Sequence, residues 1–240
     1  MRVLNKNMLQ LLAVFFMLLD HLWAWLVSGN NWMTYAGRLA FPIFAFLIAE
    51  GYAHTSDRKK YAKRLLLFAL ISEIPFNLFY AGGPIFPFHQ NTIFTLLLGL
   101  LAIDRMERFK NTPVRKQRLK QAGWLMLIFL FSVLGFPDYG YQGVLMVVVF
   151  HLTRGVRFEK LWQLAAMLLI NIRLFEGMMI PVEIGTMHFE FPTQGFAVLA
   201  LIPIWLYNGS AGRKSKMLQY GFYVFYPLHM LILYALRRML

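Results

Sequence analysis

Long apolar runs separated by short polar connections dominate this chain. Nine such runs can be placed: Met8–Val27, Met33–Ala53, Leu65–Ala81, Thr92–Ile103, Gly123–Phe136, Tyr141–Leu152, Leu161–Phe175, Gln194–Tyr207 and Gly221–Leu236. A full membrane span needs about 20 apolar residues. The first three runs approach that length, and the shorter ones must borrow flanking aromatics or sit where the bilayer thins. The pattern predicts an all-α fold, a polytopic transmembrane helix bundle of about nine spans. Eight spans with a re-entrant segment is the alternative. There is no internal repeat, low-complexity stretch or long linker, so residues 1–240 are expected to form a single integral membrane domain. Met8–Val27 is long enough to span and no small-residue cleavage site follows it, so it is expected to be a helix of the mature protein rather than a signal peptide.

The connections give the bundle a direction. Lys and Arg number 5, 7, 3 and 3 in Arg58–Arg64, Arg105–Lys120, Arg154–Lys160 and Arg213–Lys216, and the N-terminal tail adds Arg2 and Lys6. Twenty of the 24 basic residues therefore fall in five regions that alternate with connections nearly free of them. The positive-inside rule makes that side cytoplasmic, with the N-terminus inside and, for nine spans, the C-terminus outside. Arg237 and Arg238 run against this arrangement. The opposite connections are Gly82–Asn91, Pro137–Gln142 and Glu176–Pro192, short and rich in Gly, Pro and aromatics. The last carries Glu176, Glu183 and Glu190, an acidic surface that would attract an amine or simply solvate a loop.

Composition agrees and excludes several classes. Hydrophobic residues make up 59% and charged residues 15%, against roughly a half and a quarter in soluble domains. With no Cys, disulfides, thiolate nucleophiles and Cys-based metal sites are excluded. The net charge of +13 is placed for anionic headgroups or an anionic cofactor rather than for nucleic acid. No Walker loop, zinc signature, nucleophile elbow, HxxxH or HExxH is present, so no metal is expected.

The informative residues are ionisable groups inside the apolar runs. Each costs about 2.5–3.5 kcal/mol at a span centre, so each should face the interior and find a partner. Asp20 and His21 lie two-thirds of the way along the first run. Adjacent helical residues point about 100° apart, so Asp20 does not orient His21. His21 suits general-base chemistry at neutral pH. Asp20 is expected to pair with Arg38, as part of a site or as a clamp between helices. Glu50 and His54, four apart, share a face beside the basic rim Arg58, Lys59, Lys60, Lys63 and Arg64, which could hold the phosphates of a nucleotide-like donor. Glu73 and Asn77 flank Pro75, whose missing N–H frees the carbonyl of Ile71 and suggests a break lining a cavity, or a packing kink. Asn91, Thr92, Thr95, Arg173 and His229 are weaker candidates, and Asp104 and His151 read as interfacial.

These residues bring out a resemblance. Leu18-Leu19-Asp20-His21, the string Arg38-Leu39-Ala40-Phe41-Pro42-Ile43-Phe44-Ala45-Phe46-Leu47-Ile48-Ala49-Glu50-Gly51, and His54-Thr55 leading into Arg58-Lys59-Lys60-Tyr61 resemble the TraX family. So do Ser72-Glu73-Ile74-Pro75-Phe76-Asn77, then Asn91, the Phe94–Gly99 run and the Asp138–Gly143 turn. The resemblance covers nearly the whole chain and is densest from residue 18 to 100. It implies an integral membrane acetyltransferase, since the family is named for a conjugation-plasmid protein that N-acetylates pilin subunits. It also implies acetyl-CoA as donor, a multi-pass location in a bacterial plasma membrane, and an acceptor such as a pilin-like N-terminus, an amine-bearing small molecule or a glycan. The heparan-glucosaminide acetyltransferases look distantly similar. On this reading His21, Asp20, Arg38 and Glu50 form the catalytic set. His54, Arg58, Lys59 and Lys60 border the donor, and Glu73, Asn77 and Asn91 line the substrate cavity. A small transporter or flippase, or a non-catalytic assembly factor, would share the composition.

Overall fold

Helices occupy all nine apolar runs in a computed structural model, which describes residues 3–175, 177–185, 187–213 and 215–239, apart from the side chains of residues 184, 187, 216 and 219. In chain order they are α1 (Lys6–Trp25), α2 (Trp32–Gly37), α3 (Ala40–His54), α4 (Arg58–Ala81), α5 (Thr92–Lys110), α6 (Arg115–Leu134), α7 (Gly140–Thr153) and α8 (Glu159–Leu168). A π-helical turn, Leu169–Leu174, extends α8. A hairpin of β1 (Met179–Ile184) and β2 (Met187–Pro192) leads to a 3-10 segment, Thr193–Ala200, then α9 (Leu201–Trp205) and α10 (Lys216–Met239).

Among the described residues three helical segments are long and apolar enough to cross a membrane: Lys6–Trp25, the nearly continuous Trp32–His54, and Arg58–Ala81. Gly140–Thr153 and Thr193–Trp205 are apolar but shorter. The fold is thus mostly helical with three apolar spans by length and composition. The expected purely α class is corrected by the β-hairpin, which replaces part of the predicted Glu176–Pro192 loop. Val182, Phe189 and Phe191 give that stretch strand-forming side chains, and Gly185 supplies the left-handed turn at φ +62°. Glu183 there faces His188 at 3.3 Å, so the acidic stretch is partly neutralised when that imidazole is charged. Glu176 and Arg2 lie outside the described residues.

The chain divides into two compact units. One comprises Met1–Phe44 and Thr153–Leu218, the other Ala45–Leu152 and Gln219–Leu240. In the first, Asn5 starts α1 by accepting the Met8 N–H at 3.0 Å, a favourable N-cap. Leu9, Ala13, Met17 and His21, spaced by four, form the buried stripe of α1. Against α1 lies α2, so closely that a Cβ at Gly37 would stand 2.4 Å from the Asp20 Cβ. Tyr35 stacks on Phe196 with centroids 4.8 Å apart. Gln163 accepts from the Trp205 indole at 2.7 Å, and Gln194 donates to Asn171 at 3.1 Å.

In the second unit, Asp57 caps α4 by accepting the Lys60 N–H at 2.8 Å. Gly82, at φ +73°, ends that helix by donating to the Leu78 carbonyl at 3.2 Å. Pro75 is accommodated inside α4, which continues through it, so the expected break is absent. Pairing of α5 with α7 is tight, since a Cβ at Gly99 would come within 2.7 Å of Val147. Ala102, Ile128 and Val144 form an apolar cluster joining α5, α6 and α7. Phe68 stacks on Tyr223 of α10 at 4.4 Å.

Candidate functional site

The first polar cluster lies in the first unit, where α1 meets α2. Thr34 donates to Asp20 Oδ1 at 2.6 Å and its hydroxyl accepts from Arg38 at 3.0 Å. Arg38 and Asp20 stand 3.8 Å apart. The two charges foreseen as partners do meet, with Thr34 connecting them. Its hydroxyl has one proton, and that proton goes to the carboxylate, which leaves a lone pair for the guanidinium. Missing from the sequence reading was Thr34. It is the residue one helical turn before Arg38, and that spacing is the signal that could have found it. His21, one residue on from Asp20, closes the buried stripe of α1 with 7% exposure.

A second cluster gathers in the second unit where α4 ends and α5 and α7 begin. Asn91 caps α5 by accepting the Ile93 N–H at 3.0 Å. Its side-chain nitrogen donates to Glu73 Oε2 at 2.6 Å and to the Ala69 carbonyl at 2.8 Å. Its backbone N–H adds a third bond, to Glu73 Oε2 at 3.1 Å. Glu73 and Asn91, both expected at the substrate cavity, are therefore one unit. Asn77 is not joined to them: its amide donates to the Pro84 carbonyl at 3.3 Å, and its carbonyl oxygen is buried without a partner.

Around this pair the structure adds Asp138, which sequence reasoning had placed only within a turn. Thr92 donates to Asp138 Oδ2 at 2.6 Å, Thr95 donates to the Asp138 carbonyl, and His89 lies 3.5 Å from Oδ1. The backbone is stitched here too, with Gln90 donating to Phe136 at 3.0 Å and Asp138 donating to Gln90 at 2.8 Å. Tyr139 (φ +66°) and Gly140 (φ +48°) turn the chain sharply into α7, a conformation costly for tyrosine. Buried oxygens of Ser72 and Gln90 also lack partners. The lone pairs offered by Asn77 and Gln90, beside the carboxylates of Glu73 and Asp138, make an acceptor-rich environment suited to a group that carries N–H donors.

The third set lies at the other end of the second unit. Glu50 and His54 meet at 3.3 Å, with His54 largely exposed. Arg58 lies over the Tyr52 ring at 4.2 Å, and Lys59 and Lys60 are exposed in the first turn of α4. Asp104 and His151, read as interfacial, both have partners. Asp104 Oδ2 accepts from Arg108 Nε at 2.8 Å, and His151 Nε2 donates to Glu107 at 3.0 Å. Glu107 lies at the end of α5, and the hydrogen bond from His151 holds its carboxyl below the usual carboxylate range against the opposing effect of burial, with Lys110 assisting. Among the described residues no cluster of three His, Asp or Glu could hold a metal ion.

Apolar helices long enough to cross a membrane, carrying partly buried charged residues, define the class of helical proteins with membrane-compatible spans. Comparison with known families makes this specific. The model of the family described as "TraX protein" matches residues 5–237, and the chain belongs to the TraX family. It is 28% identical to the probable fimbrial assembly protein FimC, serogroup H1, of Dichelobacter nodosus, over 94% of this chain and 92% of that protein. Protein TraX of Escherichia coli strain K12 is 28% identical over 61% of this chain and 55% of its own length. A second Escherichia coli protein TraX is 27% identical over 69% and 64%. No solved structure matches the chain.

Proposed function

We propose that this protein is a membrane-embedded acetyltransferase of the bacterial plasma membrane. It transfers acetyl from acetyl-CoA to an amine, or a hydroxyl, of a membrane-associated or extracytoplasmic acceptor. In this reading the chain crosses the bilayer about nine times with its N-terminus in the cytoplasm. His21 takes the acceptor proton, and Arg38, held by Thr34 and Asp20, polarises the thioester carbonyl; Asn91, whose N–H groups are all engaged, keeps Glu73 in place. Glu50, His54, Arg58, Lys59 and Lys60 border the donor. Acetyl-CoA supplies the activated acyl group, and the basic residues offer its phosphates charge-assisted hydrogen bonds.

The observation that carries this reading is the acceptor-rich cluster around Glu73, Asn91 and Asp138, with its unpartnered Asn77 and Gln90 oxygens. Buried acceptors left without donors are costly unless a donor-bearing group visits them, and a primary amine is such a group. Membership of the TraX family supports the reading.

A second reading is favoured by the relative named as a probable fimbrial assembly protein, which aligns over nearly its whole length. Here the protein assists assembly without catalysis, and its polar clusters act as glue between helices. Binding of acetyl-CoA to the purified protein separates the two. Saturable binding, with acetyl transfer that disappears in a folded His21→Ala protein, is expected of the enzyme. No binding moves the assignment to the assembly factor, and a folded His21→Ala protein with full transfer removes the role given to His21.

A further inference from the structure

Three buried polar atoms without hydrogen-bond partners occur together where α3, α5 and α7 end in the second unit: the Tyr52 hydroxyl, Asp104 Oδ1 and His151 Nδ1. Tyr52 is 2% exposed and Asp104 8%. The His151 ring stands edge-on to the Tyr52 ring, with centroids 5.5 Å apart and planes at 89°. Asp104 is within electrostatic reach of the Tyr52 hydroxyl. A single unpartnered atom can be a packing accident. Two beside a tyrosine whose own hydroxyl is also unpartnered cost stability that a purely structural cluster would have no reason to carry.

Their chemistry is specific. Asp104 already uses Oδ2 for Arg108, so Oδ1 is left to accept. His151 gives its Nε2–H to Glu107, so the Nδ1 of the neutral ring is left to accept. The Tyr52 hydroxyl has a proton to give. Two acceptors beside one donor complement a group with two N–H donors adjacent to one acceptor. The exocyclic amine of adenine, flanked by a ring nitrogen, has that arrangement. Directly over Tyr52 lies the guanidinium of Arg58, an exposed side chain that shields the ring and can move to a phosphate.

Resting on the acetyl-CoA reading above, we propose that Tyr52, Asp104 and His151 form the adenine-recognising end of the donor site. Arg58 leaves the Tyr52 ring to bind phosphate when the nucleotide enters. Discrimination arises because a ligand lacking this edge leaves the three groups unpaired.

The test uses the full chain purified in detergent, with adenosine 3′,5′-bisphosphate, its guanosine counterpart, acetyl-CoA and S-acetylpantetheine as probes, and binding read by calorimetry. Expected is binding of the adenosine bisphosphate in competition with acetyl-CoA, with the guanosine compound about tenfold weaker or worse. Tyr52→Phe and Asp104→Asn should each weaken both adenine-containing probes by about tenfold and leave S-acetylpantetheine unchanged. Asp104→Asn also disturbs Arg108, so Tyr52→Phe is decisive: it deletes an unpartnered hydroxyl, and the melting temperature should hold or rise while nucleotide affinity falls. If acetyl-CoA binds wild type and Tyr52→Phe equally, this proposal falls and the acetyltransferase reading stands. If acetyl-CoA does not bind the wild type, both fall.

Discussion

Asn91 holds Glu73 through two nitrogens at once, its side-chain amide 2.6 Å and its backbone N–H 3.1 Å from the same carboxylate oxygen. The same residue caps α5, so the start of one helix is tied to the middle of another. Replacing Asn91 with Ala removes a cap and leaves a half-buried carboxylate with the backbone N–H but without its shorter side-chain donor. The expected loss is about 2–4 kcal/mol of stability, read as a lower melting temperature in detergent. Glu73→Gln should be milder, because a neutral amide still accepts. Equal melting for Asn91→Ala and wild type would remove the clasp from the account.

Thr34 joins Asp20 to Arg38 through one hydroxyl. Thr34→Val keeps the shape and deletes that link, while Thr34→Ser keeps it. Stability should drop by about 1–3 kcal/mol in the valine variant and stay near wild type in the serine variant. On the proposed acetyltransferase reading, acetyl transfer by the same preparations should fall at least about tenfold with valine, through Arg38, and recover with serine. Equal transfer by both would leave the trio a clamp only.

A methyl group at Gly37 would press into the Asp20 side chain at 2.4 Å. Gly37→Ala is expected to cost about 1–3 kcal/mol. The corresponding substitution Gly99→Ala meets Val147 at 2.7 Å. That clash is between side chains, so Val147→Ala should recover part of the loss, and a double-mutant cycle measures how much. Additive losses at 99 and 147 would mean the two positions do not share the strain.

Glu107 accepts from His151 and its carboxyl is held below the ordinary value of 4.5. A carboxyl depressed in the folded state stabilises the protein above its unfolded value, and the stabilisation is lost as pH falls through the folded value. Melting temperature should therefore decline on acidification from about 4.5 downward, and decline less in Glu107→Gln. Identical acid profiles for the two proteins would show that the His151 contact contributes nothing to this dependence.

Much of this architecture was legible in the chain. Hydropathy located every helical region, because burying apolar side chains dictates helix placement more strongly than local preferences do. The spacing of Glu50 and His54 placed them on one face, and the Asp20–Arg38 pairing followed from two lone charges in adjacent apolar runs. What escaped notice depends on tertiary geometry. Asp138 sits in a turn, where a carboxylate is ordinarily solvated, and only the approach of Thr92 and Thr95 draws it inward. Asp104 and His151 stand beside many lysines and arginines, which made a surface role the natural reading. In the fold Tyr52 stands edge-on to His151, and Arg108 holds Asp104. The π-helical turn after α8 and the 3-10 segment before α9 have no periodic signature that separates them from α-helix. Pro75 promised a break, yet α4 continues through it.

In both α5 and α7, polar residues stand thirteen positions apart: Asn91, the cap of α5, and Asp104 in one case, and Asp138, just before α7, and His151 in the other. At the helical rise the α5 pair, Asn91 and Asp104, lies about 20 Å apart along the axis. A typical bilayer interior is about 30 Å thick. On the proposed reading, in which α5 crosses the bilayer, the apolar path along it is about a third shorter than the hydrocarbon interior. A flexible carrier anchored at the basic end would have correspondingly less distance to reach, and the neighbouring lipid would have to pinch inward to match. The energetic burden of delivering a group from one face to the other would fall partly on the deformed membrane rather than on a moving protein.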